Sequence, residues 1–201
     1  MKKLIVSKFG GTSMGSRDSM LNAARIVLSK PEIRLVVVSA TSGTTNQLLK
    51  LRDLKLSNDS DGVRLELAAL SARHIEMAQA LDCDSAQVGQ LNNLFEELAH
   101  GIAAYSEGDG RELDAILSVG ERLSSILFVQ AIRLEKKVDV ALVDARLFLK
   151  TDSHFGKAEP DTLAMQAQCA ELRNRLSSGG EILVTQGFIG SDHAGQTTTL
   201  G

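Results

Sequence analysis

The sequence predicts an α/β layered domain built on a mainly parallel sheet. Three observations carry this. "LIVSKF" (4–9) is short, apolar and β-branched, as a buried strand is, and "RLVVVSA" (34–40) is almost continuously apolar, as expected of a strand covered on both faces. A helix-periodic segment lies between them, and a right-handed strand–helix–strand unit is the simplest way to join them. The order recurs near the other end, where "VDVALVDA" (138–145) and "EILVTQGFIG" (181–190) flank another helical segment.

The first run ends at Gly10-Gly11 and reads as a buried strand entering a loop. "SRDSMLNAARIVLSK" then places Met20, Leu21, Ala24, Val27 and Leu28 on one helical face. Ser16 or Asp18 can cap its start, and Pro31 closes its end. After the second strand, "TSGTTN" reads as a polar turn. From Gln47 to about Lys137 the pattern is helical, an excursion between strands two and three. "VRLELAALSARHIEMAQAL", "AQVGQLNNLFEELAHGIAAY" and the stretch from "RELDAILSVGERLSS" onward carry apolar residues three and four apart, with a break at "EGDG" (107–110). "TDSHFGKAEPD" reads as a loop, with Pro160 at the first position of the next helix. That helix runs to "SSGG", and "GQTTTLG" reads as a Thr/Gly-rich terminal loop with no closing element.

Composition narrows the function classes. The chain has 201 residues, 43% hydrophobic and 23% charged, and a formal charge of −3. These values fit a globular domain and argue against general disorder. The weak negative charge and 3% aromatic content give no basis for nucleic-acid binding. Cys83 and Cys169 lie far apart without metal-ligand spacing, so reduced thiols are expected, and with them a cytoplasmic setting. Lys2 and Lys3 precede an apolar run too short for a signal peptide, and no stretch approaches the ~20 apolar residues of a membrane span.

Ligands of parallel sheets bind beyond the carboxyl ends of the strands. "KFGGTS", "SATSGTTN", "DARLFLKTD" and "QGFIGSD" fall there, and three of them are rich in Gly, Ser and Thr. Such segments offer backbone N–H groups and hydroxyls to anions, although ordinary turns share the composition. "GGTSMGS" is neither a Walker A loop, because Ser16 stands where lysine is needed, nor a dinucleotide fingerprint. Lys8 either stabilises a phosphoryl group over the glycines or is a strand lysine reaching solvent. Glu121 follows Gly120 inside a helix. Glycine there costs ~1 kcal/mol against alanine, which suggests close packing on the backbone. Glu121 is then either a partner for a ligand amine or part of a solvated face with Arg111, Glu112 and Arg122. His74 and His100 read as surface or partly buried helix residues, and His193 as a loop residue. His154, Lys157 and Glu159 form either an acid/base cluster or a loop ordered by its own hydrogen bonds.

"VSKFGGTS", "VVVSATSGTTN", "LSVGERLSS", "FGKAEPD" and "VTQGFIGSDHAGQTTTLG" together resemble the aspartate kinase family of the amino acid kinase superfamily, most of all its lysine-sensitive bacterial form. The likeness covers the whole chain in order. KFGGTS and TTTLG are its most specific parts. The resemblance implies a three-layer α/β/α sandwich. It implies transfer of the ATP γ-phosphate to the β-carboxylate of L-aspartate, with Mg²⁺, giving 4-phospho-L-aspartate for amino-acid biosynthesis. It also implies roles: Lys8 as catalytic lysine on the transferring phosphoryl, Gly10 and Gly11 as backbone donors beside it, Ser39 and Thr45 holding aspartate, and Glu121 binding its amino group. No metal ligand is assigned.

The family continues after TTTLG with Arg-Gly-Gly-Ser-Asp, whose arginine binds the substrate α-carboxylate. The expectation is therefore an N-terminal part (1–201) of an amino acid kinase catalytic domain. The rest of the nucleotide-binding part and the regulatory ACT domains would lie outside it. Such a piece is expected to be inactive alone, and its parent to be a cytoplasmic homo-oligomer without nucleic-acid or membrane partners. Gln196 stands where a basic residue is expected. The alternatives are a non-catalytic amino-acid-binding module and another amino acid kinase, such as an acetylglutamate kinase.

Overall fold

The computed structural model describes residues 4–178 and 180–201; Lys2, Lys3 and Gly179 lie outside them. The main sheet has four strands, β1 (Ile5–Phe9), β2 (Ile33–Val38), β3 (Val140–Leu142) and β4 (Ile182–Gln186), in the order β1-β2-β4-β3. All three pairings are parallel, and Lys8, Val37 and Thr185 stand in one row across the sheet. The helices are α1 (Arg17–Ser29), α2 (Thr44–Leu56), α3 (Ser60–Ala80), α4 (Ser85–Ala104), α5 (Gly110–Glu135) and α6 (Thr162–Ser178).

Chain direction explains the layers. From β1 to β2 and on to β3 the chain moves one way across the sheet, which puts α1 and α5 in one layer, packed on each other. From β3 to β4 it reverses, so a right-handed crossover carries α6 to the opposite face. The core lies under α1 and α5, where Phe9 packs on Phe128 at a centroid distance of 5.9 Å. Leu172 of α6 and Leu183 of β4 are buried outside that cluster, as residues of a second interface should be. Of the excursion helices, α2, α3 and α4 pack against α5. Among the described residues, α5 alone is long and apolar enough to cross a membrane, yet most of it is buried inside the fold.

Local chemistry sets the helix ends. Ser16 caps α1 through Ser19 N–H at 3.2 Å. Asp84 and Gln87 form a reciprocal capping box at α4.

Five expectations change. Strand β1 is not a buried strand: it is an edge strand with alternating exposure, and Val6 is 54% exposed. "TSGTTN" is not all turn, because α2 begins at Thr44, entered through Gly43 at φ +80°. "EILVTQGFIG" breaks at Gly187-Phe188 into β4 and β5 (Ile189–Ser191). The terminal "TTTLG" is no loose loop: Thr197–Thr199 form β6, antiparallel to β5, with Thr198 and Thr199 buried. Pro160 pairs with Thr151 in a bridge, and α6 starts at Thr162 behind Asp161, which accepts from Leu163 and Ala164 N–H.

Candidate functional site

The carboxyl ends of β1, β2 and β4 converge on the segment that follows β2. Gly11 lies so close to it that an added Cβ would stand 3.2 Å from Ala40 O, and one on Gly15 would stand 3.2 Å from Ser42 Cβ. Helix α5 presses on the same segment from below. A Cβ on Gly120 would meet Ala40 Cβ at 3.0 Å and Thr44 Cγ2 at 3.2 Å. The close packing expected from a glycine inside a helix is therefore real, and its partner is the β2–α2 connection.

That approach places Glu121 beneath the connection. Its carboxylate accepts the Ala40 N–H at 3.1 Å and is only 4% exposed. Burial pushes its pKa up to about 7, against the Ala40 N–H bond that favours the charged form. A solvated helix face is thus excluded. Arg122 instead leaves the site and makes a bidentate pair with Glu97.

The other expected residues fall around this point. Lys8 is exposed at the end of β1, and its Cε lies 3.9 Å from where a Cβ on Gly187 would stand. The space over Gly10 is open, with nothing within 4 Å of an added Cβ. Ser39, half-buried, donates its N–H to Phe9 O at 3.1 Å and so ties the two strand ends together. Thr45 is exposed in the first turn of α2, where backbone N–H groups lack intrahelical acceptors. Phe188 sits beside Gly187 at φ +67°, rare for an aromatic residue, and its carbonyl accepts the Leu200 N–H at 2.9 Å. The arrangement offers a cation and open glycine backbone on one side and a buried carboxylate on the other.

The sequence reading missed three supporting groups. His74 is fully buried, not at the surface, and contacts Thr41 Oγ1 at 3.1 Å and Leu70 O at 2.8 Å. Its signal was periodicity, since it lies on the buried stripe of Leu70, Met77 and Ala78. Asp114 is fully buried and accepts from Gly156 N, Thr199 N and Thr199 Oγ1 at 2.7–3.0 Å. It stands seven residues before Glu121, on the same helical face. Thr185 Oγ1, in the row of Lys8, is buried with no hydrogen-bond partner among the described residues.

The loop of His154, Lys157 and Glu159 is ordered by Asp152, which accepts from His154 N, His154 Nδ1 and Glu159 N. This is the loop ordered by its own hydrogen bonds, one of the two readings of the sequence, and Lys157 N adds a bond to His154 O. Asp192 accepts the Gln196 N–H at 2.8 Å, so Gln196 helps close the β5–β6 turn. Among the described residues no group of three or more His, Cys, Asp or Glu could hold a metal ion.

Known proteins share this architecture. Lysine-sensitive aspartokinase 3 of Escherichia coli is 37% identical over the whole of this chain and 44% of its own length. The aspartokinase of Chlamydia muridarum is 32% identical over the whole chain and 43% of its length. The crystal structure of E. coli aspartokinase III in complex with aspartate and ADP superposes with a TM-score of 0.91 at 36% identity, covering 99% of this chain and 44% of that one. The chain spans less than half the length of these relatives. The profile described as the amino acid kinase family matches residues 3–201, nearly the whole chain, and the chain belongs to that family.

Proposed function

We propose that this chain is the amino-acid side of an aspartate kinase active site. The enzyme would transfer the ATP γ-phosphate to the β-carboxylate of L-aspartate and release ADP and 4-phospho-L-aspartate. The observation that carries the reading is the buried Glu121 carboxylate under Ala40, on the same sheet edge as exposed Lys8 and open Gly10. A relative with this fold holds aspartate and ADP together.

Each residue then has a task. Glu121 receives the substrate ammonium; ion pairing restores the charge that burial disfavours. Ser39 and Thr45 offer hydroxyls to aspartate from the two ends of the β2–α2 connection. A β-carboxylate oxygen attacks the γ-phosphorus while the bond to the β–γ bridging oxygen breaks. Lys8 stabilises the charge spreading over the transferring group, aided by the backbone of Gly10 and Gly11. Mg²⁺ would neutralise nucleotide phosphate charge. The described residues hold no metal-binding cluster, and no step is routed through a protein-bound ion. The reading carries with it a cytoplasmic, homo-oligomeric parent enzyme whose remaining nucleotide-binding part lies outside these 201 residues.

The test is acyl phosphate formation, trapped as the hydroxamate. The polypeptide that contains this chain together with the segments its relatives possess should turn over ATP with aspartate, and far less with glutamate or N-acetylglutamate. The 201-residue chain alone should show no turnover above background. Preference for N-acetylglutamate would overturn the substrate assignment. Aspartate binding without turnover in the longer polypeptide would favour a binding module.

A further inference from the structure

The Thr41–Thr44 stretch is fastened to α3 by a set of buried hydrogen bonds whose proton order can be worked out. Leu70 O can only accept, so His74 Nδ1, 2.8 Å away, carries the proton. Burial holds the His74 pKa down to about 4, so the ring is neutral at pH 7 and Nε2 is a bare acceptor. Thr41 Oγ1, 3.1 Å from Nε2, must donate to it. A hydroxyl has one proton, so at the 2.5 Å Thr41–Thr44 contact Thr44 is the donor. Thr44 Oγ1 in turn accepts from Arg73 Nη2 at 2.6 Å, while Arg73 Nη1 donates to Ser42 O at 2.7 Å. The order runs from Arg73 through Thr44, Thr41 and His74 to Leu70 O, with each proton assigned. The charge acting on the ring is the Arg73 guanidinium of its own helix; α4 presents the Phe95 ring at 5.9 Å and the β2–α2 connection its two hydroxyls.

We propose that Arg73 and His74 are positioning residues of the amino acid subsite, holding through this ordered chain the segment between Ser39 and Thr45. The inference rests on the aspartate kinase reading above. The segment is held from α5 as well, by Glu121 at Ala40 N and by Gly120 packed against Ala40 and Thr44, but the hydrogen bonds that tie the Thr41 and Thr44 hydroxyls and Ser42 O run to α3. Neither Arg73 nor His74 need touch substrate. Their effect is to keep two hydroxyl-bearing residues and the start of α2 in one arrangement before ligand arrives.

Two measurements test this. In the 201-residue chain, long-range ¹⁵N NMR should find His74 as the Nδ1–H tautomer, the minor form of free imidazole in water. An Nε2–H tautomer would overturn the proposal. In the longer polypeptide, His74→Leu should raise the aspartate KM at least tenfold and leave the ATP KM within twofold. His74→Gln, whose Oε1 supplies an acceptor near the Nε2 position, should keep the aspartate KM within threefold. Thr41→Val removes the link but keeps the ring, and should show the His74→Leu split if that variant does not fold. An unchanged aspartate KM in both His74→Leu and Thr41→Val, or equal rises in both KM values, would refute the positioning role. If the wild-type polypeptide does not turn over aspartate, the functional reading fails by itself. The tautomer and faster amide exchange at residues 41–45 in Thr41→Val would still report whether the chain of bonds holds the segment.

Discussion

Glu121 and His74 are both buried titratable residues, and their pH signatures oppose each other. The Glu121 pKa is raised from 4.5 to about 7, so the folded state binds the extra proton and stability falls as pH rises between those values. The His74 pKa is lowered from 6.5 to about 4, so the unfolded state binds the extra proton and stability is lost as pH falls through that window. Between about 4.5 and 6.5 the two slopes offset. Glu121→Gln should therefore leave a rise in stability with pH across that window, with a total of up to about 3 kcal/mol, readable by urea denaturation. It should also remove the pH dependence of aspartate affinity near 7, measurable by calorimetry. Lys8 makes the opposite case. It is exposed, so Lys8→Met should change stability by no more than ~0.5 kcal/mol while lowering turnover of the longer polypeptide at least ~100-fold. The placement of Lys8 beside Gly10 and Gly11 at a strand end was legible from an apolar run that meets a glycine pair, although a strand lysine reaching solvent fits the same pattern. Glu121 was legible only through its neighbour Gly120. His74 was misread because a lone histidine carries no motif, and its place on a buried stripe was outweighed by its polarity.

At the scale of elements, the contact of α5 with the β2–α2 connection shapes the candidate site. Gly120→Ala gains up to ~1 kcal/mol of helix propensity, but its methyl would lie 3.0 Å from Ala40 Cβ and 3.2 Å from Thr44 Cγ2. Overpacking of this kind costs about 1–3 kcal/mol, so the variant should be less stable on balance, with faster amide exchange at residues 40–45. Asp114 gives a second prediction. Asp114→Ala strands three donors, Gly156 N, Thr199 N and Thr199 Oγ1, and should cost about 3 kcal/mol or more. Protection should be lost first at Thr197–Thr199. The element pattern itself was largely readable, because apolar runs and helical periodicity report burial directly. The β5–β6 hairpin was not. Its strands have three residues each, and their threonines are buried through hydrogen bonds to Asp114 and Thr151, which alternation of apolar residues does not reveal.

At the scale of the whole molecule the two faces of the sheet are unequal. Five helices, α1 to α5, build one side, and α6 by itself belongs to the other. Among the described residues β1 is an edge strand with one side of its backbone unpaired; it exposes Val6, and Leu4 just before it is exposed as well. An apolar open edge favours pairing with a second strand. The 201-residue chain should therefore self-associate with rising concentration in sedimentation experiments, and Val6→Lys should suppress this without a loss of helical content. The layer arrangement follows from the strand order once the handedness of crossovers is applied, and that order was not readable from the sequence alone. Nor was the bareness of β1, because a continuous apolar run looks the same whether or not a neighbour covers it.

Asp114 and Glu121 are seven residues apart on one rigid rod, about 10 Å along its axis. One grips the β5–β6 hairpin and the other the connection after β2, so the two are a single mechanical part. Deleting one residue between them would turn Glu121 through about 100° relative to Asp114 while changing neither residue. A tug on β6 would likewise be passed along the rod to the carboxylate under Ala40. The phase of this helix, and not merely its composition, sets how the hairpin and the β2–α2 connection are held together.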